Sequence, residues 1–170
     1  MYGSGVELEK IQKLARKLCV DDVISFKGDT PNDDVLKAMR EHEIFLFTSD
    51  KNEGWGAVAN EAMSNGCVLV GSSAIGSVPF LLKDGVNGRI FRSGDIDSLT
   101  TKVEWLLNHK EERKQISIKA YNTMNNLWSP KQAAERFLKL AECLSKGMET
   151  PFIEGPCSKA KVLHNNWYKK

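Results

Sequence analysis

Glu53-Gly54-Trp55-Gly56-Ala57-Val58-Ala59-Asn60-Glu61 decides the reading of this chain. The apolar run Ile44-Phe45-Leu46-Phe47-Thr48 precedes it and Ala62-Met63-Ser64 follows. A short aromatic and aliphatic run of that length reads as a buried strand. The glycines permit a turn and let backbone approach a ligand closely. Ala57 to Ser64 is compatible with helix. Strand, glycine turn and helix start together offer unpaired N–H groups and a positive dipole end, which suit an anion. Glu53 and Glu61 at the two ends repel phosphate, so hydroxyls are their natural partners, because an ionised carboxylate only accepts hydrogen bonds. Were all nine residues helical, the two acids would stand about 12 Å apart along the axis, and a turn shortens that span. The ligand that fits carries hydroxyls at both ends and a diphosphate between them.

Outward from this stretch, strands and helices alternate. An amphipathic helix is expected over 6–18, with Leu8, Ile11, Leu14, Ala15 and Leu18 on one face. A short strand follows at 23–27 and a helix at about 33–40, with Pro31 in its first turn. Further strands are read at 68–71 and 89–91, a short helix at 78–82, and closing helices at 96–107, 111–125 and 130–145. Such alternation implies an α/β fold with a parallel, doubly wound, Rossmann-like sheet. Past Gly147 the pattern lapses, so residues 1–146 read as one domain and 147–170 as an irregular tail. The tail's end is basic, with Trp167 and Tyr168 among lysines. It could touch anionic headgroups, although a solvated terminus is the plainer reading.

With 24 Lys and Arg against 22 Asp and Glu, the net charge of +2 gives no case for nucleic acid. No apolar run nears the roughly 20 residues that span a bilayer, and Met1-Tyr2-Gly3-Ser4 does not open a signal peptide. Cys19, Cys67, Cys143 and Cys157 show no paired spacing, and His42, His109 and His164 are scattered. Reduced thiols in the cytoplasm and no metal are the expectation.

The ordered motifs carry a resemblance. Glu53 and Glu61 form the E-x7-E pattern of retaining glycosyltransferases of the GT-B fold, the group 1 or GT4-like family. Glu61-Ala62-Met63-Ser64-Asn65-Gly66-Cys67-Val68-Leu69-Val70 is similar to that family's EAMA-x-G-x-PVV segment, and Asp84 to Phe91 to its DG-x-NG-x-L-V segment. Gly76-Ser77-Val78-Pro79-Phe80 aligns with GG-x-PE, with Ser77 for the second glycine and Phe80 for the glutamate. The resemblance implies the C-terminal, donor-binding half of such an enzyme, starting late enough to lack the first strands. Such a piece would fold poorly, aggregate, or pair strands 23–27 and 44–48 directly. It implies transfer of a sugar from a UDP- or GDP-type donor to an acceptor hydroxyl, with retention and without cofactor or metal, in polysaccharide or glycolipid synthesis. The work would be done in the cytoplasm or at the inner membrane face. The carbohydrate or lipid-linked acceptor would be held by a separate N-terminal domain, leaving the isolated chain inactive.

By the same resemblance Glu53 is the catalytic residue of the motif, contacting and orienting the donor sugar, and Glu61 holds the ribose. Gly54, Trp55, Gly56, Ala57 and Val58 cradle the diphosphate, with Trp55 equally readable as a cleft-wall aromatic. Gly28, Asp29 and Thr30 lie near the nucleotide base, or form a plain turn. Two other classes stay open: a non-catalytic nucleotide-binding module or inactive fragment, and a dinucleotide-binding domain begun by Gly3-Ser4-Gly5. The latter lacks a third glycine and a preceding strand.

Overall fold

The computed structural model describes residues 1–160, 163, 164 and 166–169. Lys161 and Lys170 of the basic tail lie outside the described residues. Two compact units divide the chain, Met1–Ala38 and Met39–Lys170.

The first unit holds helix α1, Leu8–Lys17, and the start of α2, Asn32–Glu41. The apolar stripe of α1 is only partly used: Ala15 is buried, whereas Leu14 and Leu18 are exposed. A unit of this size has little core to offer. The expected strand at 23–27 does not form. Its start is taken up by a turn in which the Val23 amide donates to the Val20 carbonyl at 3.3 Å. Its partner is Met1–Gly3, which supplies bonds from Lys27 N–H to Met1 O at 2.9 Å and from Gly3 N–H to Gly28 O at 2.8 Å. The outcome is a single antiparallel bridge between Gly3 and Gly28. A strand exists only through a ladder, and a single bridge is not one.

The second unit is built on a parallel sheet of β1 (Ile44–Phe47), β2 (Val68–Ser72) and β3 (Arg89–Phe91), in that spatial order. Ile44 stands opposite Val68 and Phe47 opposite Gly71, while Val70 stands opposite Arg89 and Ser72 opposite Phe91. The direct order 1-2-3 is that of one wing of a doubly wound sheet. Helix α3 (Val58–Ser64) makes the crossover from β1 to β2, and the short α4 (Val78–Leu81) lies between β2 and β3. Helices α5 (Ile96–Asn108), α6 (Lys110–Asn126) and α7 (Pro130–Ser145) follow.

β2 is buried along its whole length, as a central parallel strand covered on both faces should be. Val68 and Val70 pack with Phe91, with Leu106 of α5 and with Ile116 of α6. At about 1.5–3 kcal/mol per buried aliphatic side chain, this cluster is a main source of stability. On the opposite face Gly71 leaves room for α4, since a Cβ there would come within 2.8 Å of Val78.

The Asp84–Gly88 motif proves to be a structural knot. The Asp84 carboxylate accepts from the Ile90 amide at 2.9 Å and pairs with Lys102 at 2.7 Å. The Asn87 side chain accepts from Lys83 N–H at 2.7 Å and donates to Leu81 O and Thr123 Oγ1. Burial pushes the Asp84 carboxyl upward. The Lys102 hydrogen bond, the Ile90 amide and the charges of Lys102 and Arg89 outweigh it, holding the group below its ordinary value. Beyond Gly147 the described residues form no helix or strand apart from a 3-10 turn at Trp167–Lys169. Lys83 and Arg136 tie part of it down through Glu154 and Phe152.

Candidate functional site

β1 ends at Phe47, and the chain turns at Asp50. The Asp50 carboxylate accepts from the Asn52 amide at 2.8 Å, and the Asp50 carbonyl accepts from Glu53 N–H at 3.1 Å. This Asx turn sets the Glu53 backbone at the mouth of the loop, at the carboxyl end of the sheet. Gly56 has φ +70°, and a Cβ there would meet the Phe47 ring at 2.5 Å. Glycine is therefore required at this position both by conformation and by space.

Helix α3 begins at Val58, with Ala57 as an N-cap that makes no side-chain capping bond. Residues 53–57 are thus not helical, and the separation of a full helix does not apply to the two acids. The Gly56 carbonyl accepts from Ala59 N–H at 2.9 Å and the Ala57 carbonyl from Glu61 N–H at 3.2 Å. Among the described residues, none of the amides from Gly54 to Val58 donates a hydrogen bond. Glu53 and Glu61 are both half-buried, and neither carboxylate has a hydrogen bond or ion pair among the described residues. Free amides and unpaired half-buried carboxylates cost free energy unless water or a ligand meets them. The loop therefore offers five donors in succession, with an acceptor-only group on either side.

Further residues shape this loop, and sequence reasoning gave them no role in it. Gly76, in the loop after β2, lies against Gly54: a Cβ there would overlap the Gly54 carbonyl oxygen. The doublet that opens the GG-x-PE segment was the available signal. Asn60 accepts from the Trp55 indole N–H at 2.9 Å and so fixes the ring. Trp55 stacks on Phe80 at 6.0 Å between centroids and leans on Trp128 at 5.4 Å. It is a wall aromatic, and nothing in local sequence announced its two partners. The Ser77 hydroxyl, at the position that aligns with the second glycine of GG-x-PE, is buried without a hydrogen-bond partner among the described residues.

Gly28, Asp29 and Thr30 belong to the first unit. Gly28 has φ +65°, the Asp29 carboxylate accepts from Ser4 Oγ at 2.6 Å, and the Thr30 hydroxyl donates to the Gly28 carbonyl at 3.2 Å. Both side chains are spent locally. Cys67 opens β2, donating to the Met39 and His42 carbonyls, and burial pushes its thiol up to about 11. It is a packing residue rather than a nucleophile. Among the described residues no group of three or more His, Cys, Asp or Glu could hold a metal ion, and no helix is long and apolar enough to cross a membrane.

The family model described as "Glycosyl transferases group 1" matches residues 1–123. The sulfoquinovosyl transferase of Arabidopsis thaliana is 32% identical over 94 residues, a match covering 54% of this chain and 18% of that protein. Among solved structures, the C-terminal domain of a glycosyl transferase group 1 family protein from Francisella tularensis is 21% identical with a TM-score of 0.68. That match covers 75% of this chain and 66% of that one. The Anabaena protein HepE, solved in complex with UDP, is 22% identical with a TM-score of 0.70, covering 85% and 40%. At these identities the structural likeness is one of fold. The matched stretches span 18%, 18% and 23% of the lengths of three curated relatives.

Proposed function

Because the chain belongs to the glycosyl transferases group 1 family, with the C-terminal-domain fold of GT-B enzymes, we propose that it is the part that binds a nucleoside diphosphate sugar. The donor is of the UDP or GDP type. The amides of Gly54 to Val58 receive the diphosphate, Glu61 accepts from ribose hydroxyls, and Glu53 accepts from hydroxyls of the donor sugar. What carries this reading is the run of five unspent amides between two unpaired carboxylates. That pattern matches a diphosphate between two polyols in both charge and hydrogen-bonding sense.

In the reaction, the bond from the anomeric carbon to the diphosphate oxygen breaks and a bond to the acceptor hydroxyl oxygen forms on the same face. The acceptor proton passes to the leaving diphosphate. No covalent enzyme intermediate and no metal take part. The site stabilises charge building on the leaving group, where preorganised donors are worth most. Glu53 holds the sugar as it becomes cationic. The acceptor, a carbohydrate or a lipid-linked one at the cytoplasmic membrane face, is gripped by another domain. The isolated chain therefore binds donor without transferring sugar.

Calorimetric titration of the chain with UDP, GDP and NAD tests this. One-site binding of UDP or GDP, weakened by Glu61→Ala, is expected. Heat with NAD alone, or with none of the three, would overturn it. In the whole enzyme, Glu53→Ala should lower kcat strongly while Glu61→Ala acts mainly on donor binding.

A further inference from the structure

Phe80 stands where the family's segment has a glutamate, and it is not idle. It faces a groove of about 360 Å³, within the usual range of about 300–1,000 Å³ for ligand pockets. The groove's other lining residues include Trp128 and a polar stripe of α6, Lys119, Asn122, Thr123 and Asn126. Residues at these spacings share one face of a helix. Phe80 is 39% exposed and Trp55, stacked on Phe80 and tilted against Trp128, is 41% exposed. The Asn122 and Asn126 side-chain carboxamides have no hydrogen-bond partner among the described residues. The groove's carboxylate, Glu154, is neutralised by Lys83 at 2.9 Å.

We propose that this groove is a saccharide-binding subsite, distinct from the diphosphate loop and joined to it through Trp55. A sugar ring presents an apolar C–H face and a rim of hydroxyls that both donate and accept. Aromatic faces match the first, and carboxamides, which carry donor and acceptor on one group, match the second. With Glu154 already paired, Lys119 adds a donor without making the groove strongly cationic, so the ligand is a neutral oligosaccharide. Its position beside the donor loop suits further units of a chain whose end lies in the cleft. That placement rests on the proposed function, whereas saccharide binding itself does not.

Side-chain and indole N–H signals of the 15N-labelled chain, followed while maltotriose, chitotriose or mannotriose is added, test the proposal. At least one trisaccharide should move the Asn122, Asn126 and Trp128 signals. Asn122→Ala/Asn126→Ala, which alters exposed positions only, should weaken that trisaccharide about tenfold or more and leave UDP affinity unchanged. Phe80→Ala should also weaken that trisaccharide. If a trisaccharide binds here while UDP and GDP bind nowhere, the subsite stands and the donor reading falls. If no trisaccharide moves these signals, or if UDP moves the same ones, the subsite is refuted.

Discussion

Gly76→Ala is expected to damage the donor loop from a distance of 22 residues along the chain. The added methyl would overlap the Gly54 carbonyl oxygen and lie 3.0 Å from its carbon. Both atoms are backbone, so no side chain can swing away. To reach an ordinary C···O separation of about 3.3–3.6 Å, the Gly54 peptide must retreat by roughly an ångström, or the loop after β2 must. Overpacking of this kind costs about 1–3 kcal/mol. The displaced peptide carries the Trp55 amide, the second of the proposed cradle, so UDP affinity should fall at least about tenfold, or about 1.4 kcal/mol. Gly5→Ala is the control. A Cβ there meets nothing within 4 Å, and Gly5 does not have the positive φ that restricts other residues. Urea melts and calorimetry on both variants give the answer. Gly76→Ala should lower the midpoint and weaken UDP, while Gly5→Ala should do neither to a comparable degree. Equal behaviour of the two variants would refute the reasoning.

Removing the orphan hydroxyl with Ser77→Ala should leave stability unchanged or raise it by up to about 1–3 kcal/mol, read as a higher urea midpoint. Arg113 is buried, pairs with Glu43 at 2.7 Å and donates to the Leu106 carbonyl at 3.0 Å. Arg113→Met keeps its bulk and loses both bonds, so a cost of about 1–3 kcal/mol is expected in the same melts. Leu106→Ala empties the core cluster and should cost about 2–5 kcal/mol. The depressed Asp84 carboxyl contributes stability that is present above the ordinary value near 3.8 and is lost as pH falls through its lower folded value. The advantage of the wild-type chain over Asp84→Asn should therefore shrink as melts are run at progressively more acid pH. A constant gap would show that Asp84 is not held low.

Much of the second unit was legible because its signals are local. Short apolar runs pointed to β1 and β2, and α7 runs over the expected 130–145, with a start that the sequence reading did not explain: the Ser129 hydroxyl accepts from the Gln132 amide. The strand expected at 23–27 failed because apolar character describes a strand's faces, whereas its existence depends on a partner elsewhere. Glu53 and Glu61 were found from spacing, but their lack of partners could only be seen in three dimensions. The contacts Gly54–Gly76, Trp55–Phe80 and Trp55–Trp128 join residues far apart in sequence. No periodicity encodes them. The Asp84–Gly88 segment was recognisable as a motif, yet its purpose, knotting β3 to α5 and α6 through Lys102 and Thr123, emerged only from its hydrogen bonds.

The central claim is that the amides of Gly54 to Val58 receive a diphosphate. Titrating the 15N-labelled chain with UDP, and with uridine as the phosphate-free control, reads those five amides directly. The account predicts saturable shifts concentrated at residues 54–58 with UDP and absent there with uridine. Shifts elsewhere alone, or the same shifts with uridine, would contradict it.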